Sequence, residues 1–203
     1  MKRFFIFQIF FIILSLFNYS SFAESALNLS KDDFVIGDEN APITIIEYAS
    51  LSCSHCADFH LNTLPTLKKE FVDTGKAKIV FRDFPFNFPA LLGSMLLRCI
   101  PQDIREQYTE ALYLMQSSWV NRENSKTIEE LYKIMQSGGM NKEDFNSCIE
   151  NTELENQLLQ GVISAQNEFN IKSTPSFIIN GQIIEGNKPI KDFRQIINKI
   201  LSQ

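Results

Sequence analysis

Along the 203-residue chain the apolar positions change period several times, and each change marks an element. Residues 42–48 (Pro-Ile-Thr-Ile-Ile-Glu-Tyr) are mostly apolar and rich in β-branched side chains, the pattern of a buried strand. After Cys53-Ser54-His55-Cys56, the apolar residues Ala57, Leu61, Leu64, Leu67 and Phe71 recur at helical spacing. Pro65 falls inside that stripe. Because Leu67 and Phe71 keep the period beyond it, the pattern predicts a kinked helix rather than a stop. Gly75 closes the segment, and residues 78–82 (Lys-Ile-Val-Phe-Arg) predict a second strand. Strand, helix and strand with short links form a βαβ unit, which implies a parallel pair.

From about residue 86 to residue 151 strand character disappears. Leu91, Met95 and Leu96 precede a break at Pro101, and Ile104, Tyr108, Ala111, Leu112 and Met115 trace a second amphipathic face. Ser125 is placed to cap a third helix carrying Ile128, Leu131, Tyr132 and Met135, which Gly138-Gly139 closes. Asn141 opens a short fourth helix containing Phe145 and Cys148. The host pattern resumes at Thr152, which with Glu155 suggests a capping box before Leu158, Leu159, Val162 and Phe169. Residues 175–179 and 182–185 then flank Asn180-Gly181, the signal of a type I′ hairpin. Ile190, Phe193, Ile196, Ile197 and Ile200 mark a final amphipathic helix. The expected organisation is an α/β domain built from residues 24–85 and 152–203, with an all-helical insertion at 86–151.

Residues 1–23 stand apart. Lys2 and Arg3 precede an apolar run from Phe4 to Phe17 broken only by Gln8 and Ser15. A spanning helix needs about 20 such residues, so the run suits a secretory leader better than a membrane anchor. Ser21 and Ala23 supply small residues for cleavage before Glu24. Removing the leader leaves 17 basic residues against 24 acidic ones, and the net charge moves from −5 to −7. An acidic chain of this kind has no electrostatic reason to seek nucleic acid, and it is too hydrophobic for disorder. The expected location is the periplasm, as a soluble protein.

Export governs how the four cysteines are read, since disulfides persist only in oxidising compartments. Cys53 and Cys56 form a Cys-x-x-Cys where a buried strand passes into a helix. A sulfur at a helix N-terminus is stabilised as thiolate by unpaired backbone N–H groups. Cys53 is thus the expected nucleophile, and Cys56 the buried thiol that resolves a mixed disulfide. An imidazolium at His55 would stabilise the thiolate further, and a stabilised reduced form makes the disulfide oxidising. Glu47, six residues before Cys53 on an otherwise apolar strand, is placed to take or relay the proton of Cys56, with Lys78 or Arg82 as its counter-charge. Cys99 and Cys148, both in the insertion, are expected to form a structural disulfide, with two buried free thiols as the other reading.

The stretch from Gly37 through residues 41–48 to Cys53-Ser54-His55-Cys56 resembles the active-site region of DsbA-like thiol:disulfide oxidoreductases. The resemblance continues at residues 81–85 (Phe-Arg-Asp-Phe-Pro) and 173–181 (Ser-Thr-Pro-Ser-Phe-Ile-Ile-Asn-Gly) and covers nearly all of the chain after the leader. It implies a thioredoxin fold with a helical insertion and an exported enzyme that introduces disulfides into other proteins. It also implies a cis Thr174-Pro175 bond beside the sulfurs, where the loop backbone binds an extended substrate segment. The implied partners are unfolded exported clients with free cysteines and a quinone-linked, DsbB-type membrane reoxidant. By the same resemblance, a Cys99–Cys148 bridge would tune the potential of Cys53.

Three other functions compete. Threonine before Pro175 is shared with relatives that isomerise or reduce disulfides, although isomerases of this superfamily usually bring a dimerisation domain; a monomer is expected here. A metal-binding module would draw on Cys53, Cys56 and His60, but a structural zinc site takes four ligands and no second close pair follows. No metal and no cofactor beyond the Cys53–Cys56 pair is therefore expected. A non-catalytic scaffold would not need both sulfurs.

Overall fold

The computed structural model describes residue 29 and residues 33–202; the leader predicted at 1–23 lies outside the described residues. Five strands form one mixed sheet: β1 (Phe34–Ile36), β2 (Ile43–Ala49), β3 (Ala77–Asp83), β4 (Ser176–Ile179) and β5 (Gln182–Glu185), in the order β1-β3-β2-β4-β5. β2 and β3 run parallel, as the βαβ reading requires, and the other neighbouring pairs are antiparallel. Asn180 and Gly181 both take positive φ, 44° and 87°, which is the type I′ turn joining β4 to β5. With helices on both faces, this is the thioredoxin fold that the resemblance implied.

The helical segment between β2 and β3 passes through Pro65 without stopping. It comprises α1 (Ser54–Asp58), a π-helical turn (Phe59–Thr63), α2 (Leu64–Leu67) and a second π-helical turn (Lys68–Val72). Proline lacks an N–H and crowds the preceding turn, and the wider π turns absorb both defects. They also shift the helical phase. Phe59 and His60, which the stripe at Ala57, Leu61, Leu64, Leu67 and Phe71 leaves out, are consequently buried.

Six helices lie between β3 and β4: α3 (Phe88–Arg98), α4 (Gln102–Leu114), α5 (Gln116–Trp119), α6 (Asn124–Ser137), α7 (Lys142–Ile149) and α8 (Thr152–Phe169). Two expected caps move by a residue or two. α6 starts after Glu123, and Ser125 bonds to the Glu123 carboxylate instead of capping. α8 is capped by Asn151, whose Oδ1 accepts from the Leu154 N–H, so Thr152 lies inside the helix. Asn141 caps α7 as read. Met115 falls just beyond α4 and is exposed, while Tyr113 takes the buried position.

Alternation along β2 divides the core. Ile43 and Ile45 face a cluster with Phe59, Leu64, Leu67 and Phe71, covered also by Phe193 and Ile197 of α9 (Ile190–Leu201). Ile46 and Tyr48 face the opposite cluster with Val80, Phe84, Ala165 and Phe169. A third cluster fills the helical region around Leu96, Leu112, Trp119, Leu131 and Phe145. α8 belongs to both bodies: Leu154 and Leu158 pack into the helical cluster, and Val162, Ala165 and Phe169 pack on the sheet. Leu51, Cys56 and Ala57 also belong to the helical cluster, so its surface meets the fold at the Cys-x-x-Cys. Among the described residues no helix is long and apolar enough to cross a membrane.

Candidate active site

β2 ends at Ala49, and a turn carries the chain to Cys53 at the start of α1. The Cys53 N–H donates to Ser50 O at 3.0 Å, and its carbonyl accepts from Ala57 N at 3.0 Å. Gln116 of α5 clamps this turn from the helical side, its Nε2 donating to Leu51 O (2.8 Å) and Cys53 O (3.1 Å). From the opposite side the Thr174-Pro175 peptide, which is cis, brings Thr174 O within 3.3 Å of Cys53 Sγ, where it accepts from the thiol. Thr174 Oγ1 is buried there without a hydrogen-bond partner in the thiol form, and its hydroxyl is the side-chain donor that favours the ionised sulfur.

The two sulfurs have opposite environments. Cys53 is partly exposed, and its thiol is lowered to about 5. The hydrogen bond from the Cys56 side chain is the largest cause, opposed by partial burial and aided by Thr174 and by the backbone N–H groups of Cys56 and His55. Cys56 is fully buried, and its thiol is pushed far up by desolvation, by the bond it gives to Cys53 and by the negative charge of Glu47. The ring of His55 is exposed, and its resolved contribution to the thiolate comes from its backbone N–H.

Strand parity places Glu47 on the face of β2 that carries Ile43 and Ile45, under the helix bearing Cys56. It is 0% exposed, and one carboxylate oxygen, Oε1, has no hydrogen-bond partner. The other accepts from or donates to His60 Nε2 at 3.0 Å, depending on the tautomer. Neither expected counter-charge reaches it. Glu47 pairs with Phe81 across β3, so Arg82 beside Tyr48 projects to the opposite face and forks onto Asp33. Lys78, three positions along β3 from Phe81, donates to Glu39 O.

His60, which the sequence offers only as a third ligand in the disfavoured metal-binding reading, is the partner of Glu47. Its place four residues after Cys56, one helical turn along, was the available signal. Gln116 carried no such signal. Among the described residues no group of three or more His, Cys, Asp or Glu is arranged to hold a metal ion. Cys99 and Cys148 are joined in a disulfide with Cα atoms 6.2 Å apart, linking the end of α3 to α7.

The pattern of the thioredoxin family matches residues 29–199. A Rickettsia felis protein named as a protein-disulfide oxidoreductase is 30% identical over 177 residues, covering 86% of this chain and 62% of that protein. The chain therefore spans about three-fifths of the length of such relatives. Wolbachia pipientis α-DsbA1 superimposes with a TM-score of 0.79 at 31% identity, over 87% of this chain and 94% of that one. BdbD from Bacillus subtilis shares the fold, with a TM-score of 0.75 at 21% identity over 85% and 95% of the two chains. A low-pKa thiolate, a buried second sulfur and a neighbouring cis-proline loop thus occur in a chain that belongs to the thioredoxin family and, within it, to the DsbA-like proteins.

Proposed function

We propose that this protein is an exported dithiol oxidase that transfers the Cys53–Cys56 disulfide to unfolded client proteins. The contrast between the two sulfurs carries the reading. A thiolate held at Cys53, down to about 5, stabilises the reduced pair and so makes its disulfide a strong oxidant. A client thiolate attacks Cys53, the Cys53–Cys56 bond breaks, and the electron pair leaves on Cys56. That sulfur, buried beside Glu47, takes up a proton, for which Glu47 is the donor. A second client thiolate then attacks the client sulfur of the mixed disulfide, leaving the client oxidised and the enzyme as dithiol. No cofactor is needed beyond the cysteine pair, and a DsbB-type quinone-linked membrane protein would restore its disulfide.

The rim of the site supports an extended, apolar client. Phe86 and Phe88, 56% and 37% exposed, flank Asn87, which bonds to Ser52 next to Cys53. Leu114 and Met115, 64% and 45% exposed, lead into the Gln116 clamp. Thr174 and Pro175 offer the backbone edge along which such a segment would lie. The leader at 1–23 supports export to the periplasm.

Equilibration of the Cys53/Cys56 couple with glutathione tests this. A potential near about −120 mV is expected, whereas about −270 mV would replace the oxidase with a reductase. Rapid oxidation of a reduced unfolded protein, with little unscrambling of wrong disulfides, separates oxidase from isomerase.

A further inference from the structure

His60 has no role in the thiol chemistry above, yet its surroundings are unusual. Its side chain is 6% exposed and contacts Glu47 through Nε2. The ring is packed at a tilt between Tyr113 of α4, with centroids 4.4 Å apart and planes at 38°, and Phe81 of β3, at 5.3 Å and 42°. These contacts fix its plane. Beyond it opens a cavity of about 400 Å³ that His60 helps to line, between the α1–α2 segment, β3 and α4. Glu47 is fully buried and is not among the lining groups. His60 therefore stands between the buried carboxylate and the cavity.

The cavity wall is charged, and its cations are largely matched. Arg82 is held by Asp33, Arg98 by Asp83 and Lys68 by Glu106. Arg105 donates to Ile100 O and lies over the Phe34 ring. Glu110 and Asp73 complete the charged lining, and the Tyr113 phenol is held neutral by burial. A polar cavity of this size admits several waters.

We infer that His60 is a positioning residue that passes protons between cavity water and Glu47, and through Glu47 to the Cys56 sulfur. This rests on the dithiol-exchange reading of the site. When a client thiolate attacks Cys53 Sγ, the Sγ–Sγ bond breaks and its electron pair departs on Cys56. Glu47 gives its proton to Cys56 Sγ, His60 re-protonates Glu47 from Nε2, and water in the cavity re-protonates the ring. The sum is one client thiolate, one disulfide and one proton converted to one mixed disulfide and one thiol. During reoxidation the same path runs outward. The aromatic packing of the ring matters because rotation away from Glu47 would open the path.

The test is stopped-flow reaction of the oxidised full-length protein with a reduced cysteine peptide from pH 5 to 8, for wild type, His60→Gln and His60→Ala. Glutamine keeps a hydrogen-bond donor for Glu47 but cannot exchange protons at two ring nitrogens. Exchange in His60→Gln is expected to slow on the order of 10²-fold, the usual loss of an acid–base group, with a flattened pH profile. Absorbance titration of Cys53 should meanwhile keep its wild-type midpoint. His60→Ala extends the cavity, and added imidazole should restore its rate with saturation. A wild-type rate and profile in His60→Gln, or slowing that follows a moved Cys53 midpoint, overturns the inference; so does a folded His60→Ala that imidazole leaves unchanged. If His60→Ala fails to fold, His60→Gln decides alone. Failure of the wild type itself to react with peptide would instead overturn the proposed function.

Discussion

Cys53 and Cys56 lie one helical turn apart, and burial separates their chemistry. The Cys53 sulfur reaches solvent and collects hydrogen bonds to its ionised form, whereas the Cys56 sulfur loses hydration and faces the charge of Glu47. In the reduced protein, absorbance of the Cys53 thiolate should therefore titrate with a midpoint near 5, and alkylation of Cys53 should fall away below it. The same shift links stability to pH. Cys53 in the unfolded chain ionises near about 8.5, so the folded thiolate contributes its full stabilisation above that value. The contribution declines as pH falls from about 8.5 and is gone below the folded value of about 5. The disulfide form has no thiolate and lacks this slope. Thermal melts of the two redox forms should show the advantage of the dithiol form shrinking between pH 8.5 and pH 4. A constant difference would place the titrating group elsewhere.

Individual elements show how local signals are overridden or kept. Asn180-Gly181 behaves as its backbone preferences require, because both residues take positive φ and few others do so cheaply. Asn180 adds a tertiary function, as its Oδ1 accepts from the Thr44 N–H and anchors the hairpin to β2. At the start of α8 two adjacent residues compete to cap. Thr152 with Glu155 matches the capping box, yet Asn151 holds the cap through Leu154 N at 3.0 Å. Asn151→Ala should cost about 1 kcal/mol in urea unfolding, and Thr152→Ala less than about 0.5 kcal/mol. The reverse order would return the cap to Thr152. The π turns around Pro65 could not be seen in a 3.6-residue stripe, and they are what turn Phe59 and His60 inward.

The helical insertion is joined to the α/β body by many contacts, among them α8, Gln116 at the Cys53 turn, Arg98 bonded to Asp83 at the end of β3, and Lys68 paired with Glu106. Within it, the Cys99–Cys148 bond closes 49 residues of chain. The chain-entropy model gives about 4 kcal/mol for a loop of that length. The double substitution Cys99→Ser/Cys148→Ser should lower unfolding free energy by up to about that amount. Because Cys148 shares a cluster with Cys56, any accompanying change in the Cys53/Cys56 potential would measure how far the bridge acts on the site. An unchanged urea midpoint would mean that the bridge contributes nothing to the fold.

The sequence by itself determined four of the five strands, the hairpin, the helical block and the reactive cysteine pair, whereas the three-residue edge strand β1 (Phe34–Ile36) is too short to show a period. Those follow from local period, backbone preference and the spacing of two sulfurs, all of which are carried by neighbouring residues. It also marked Glu47, because a carboxylate on an apolar strand is visible in one dimension. Its partner was marked only by the spacing of His60 four residues after Cys56, while the two cations on the neighbouring strand were the more obvious choices. Parity across the β2–β3 register sends Arg82 to the far face, and a π turn brings His60 to the near one. Only the tertiary structure decided that His60 pairs with Glu47 beneath the cysteines and that Gln116, from a distant helix, clamps the turn at Cys53. Such contacts depend on how faces meet when the sheet and helices pack, and sequence spacing does not encode that.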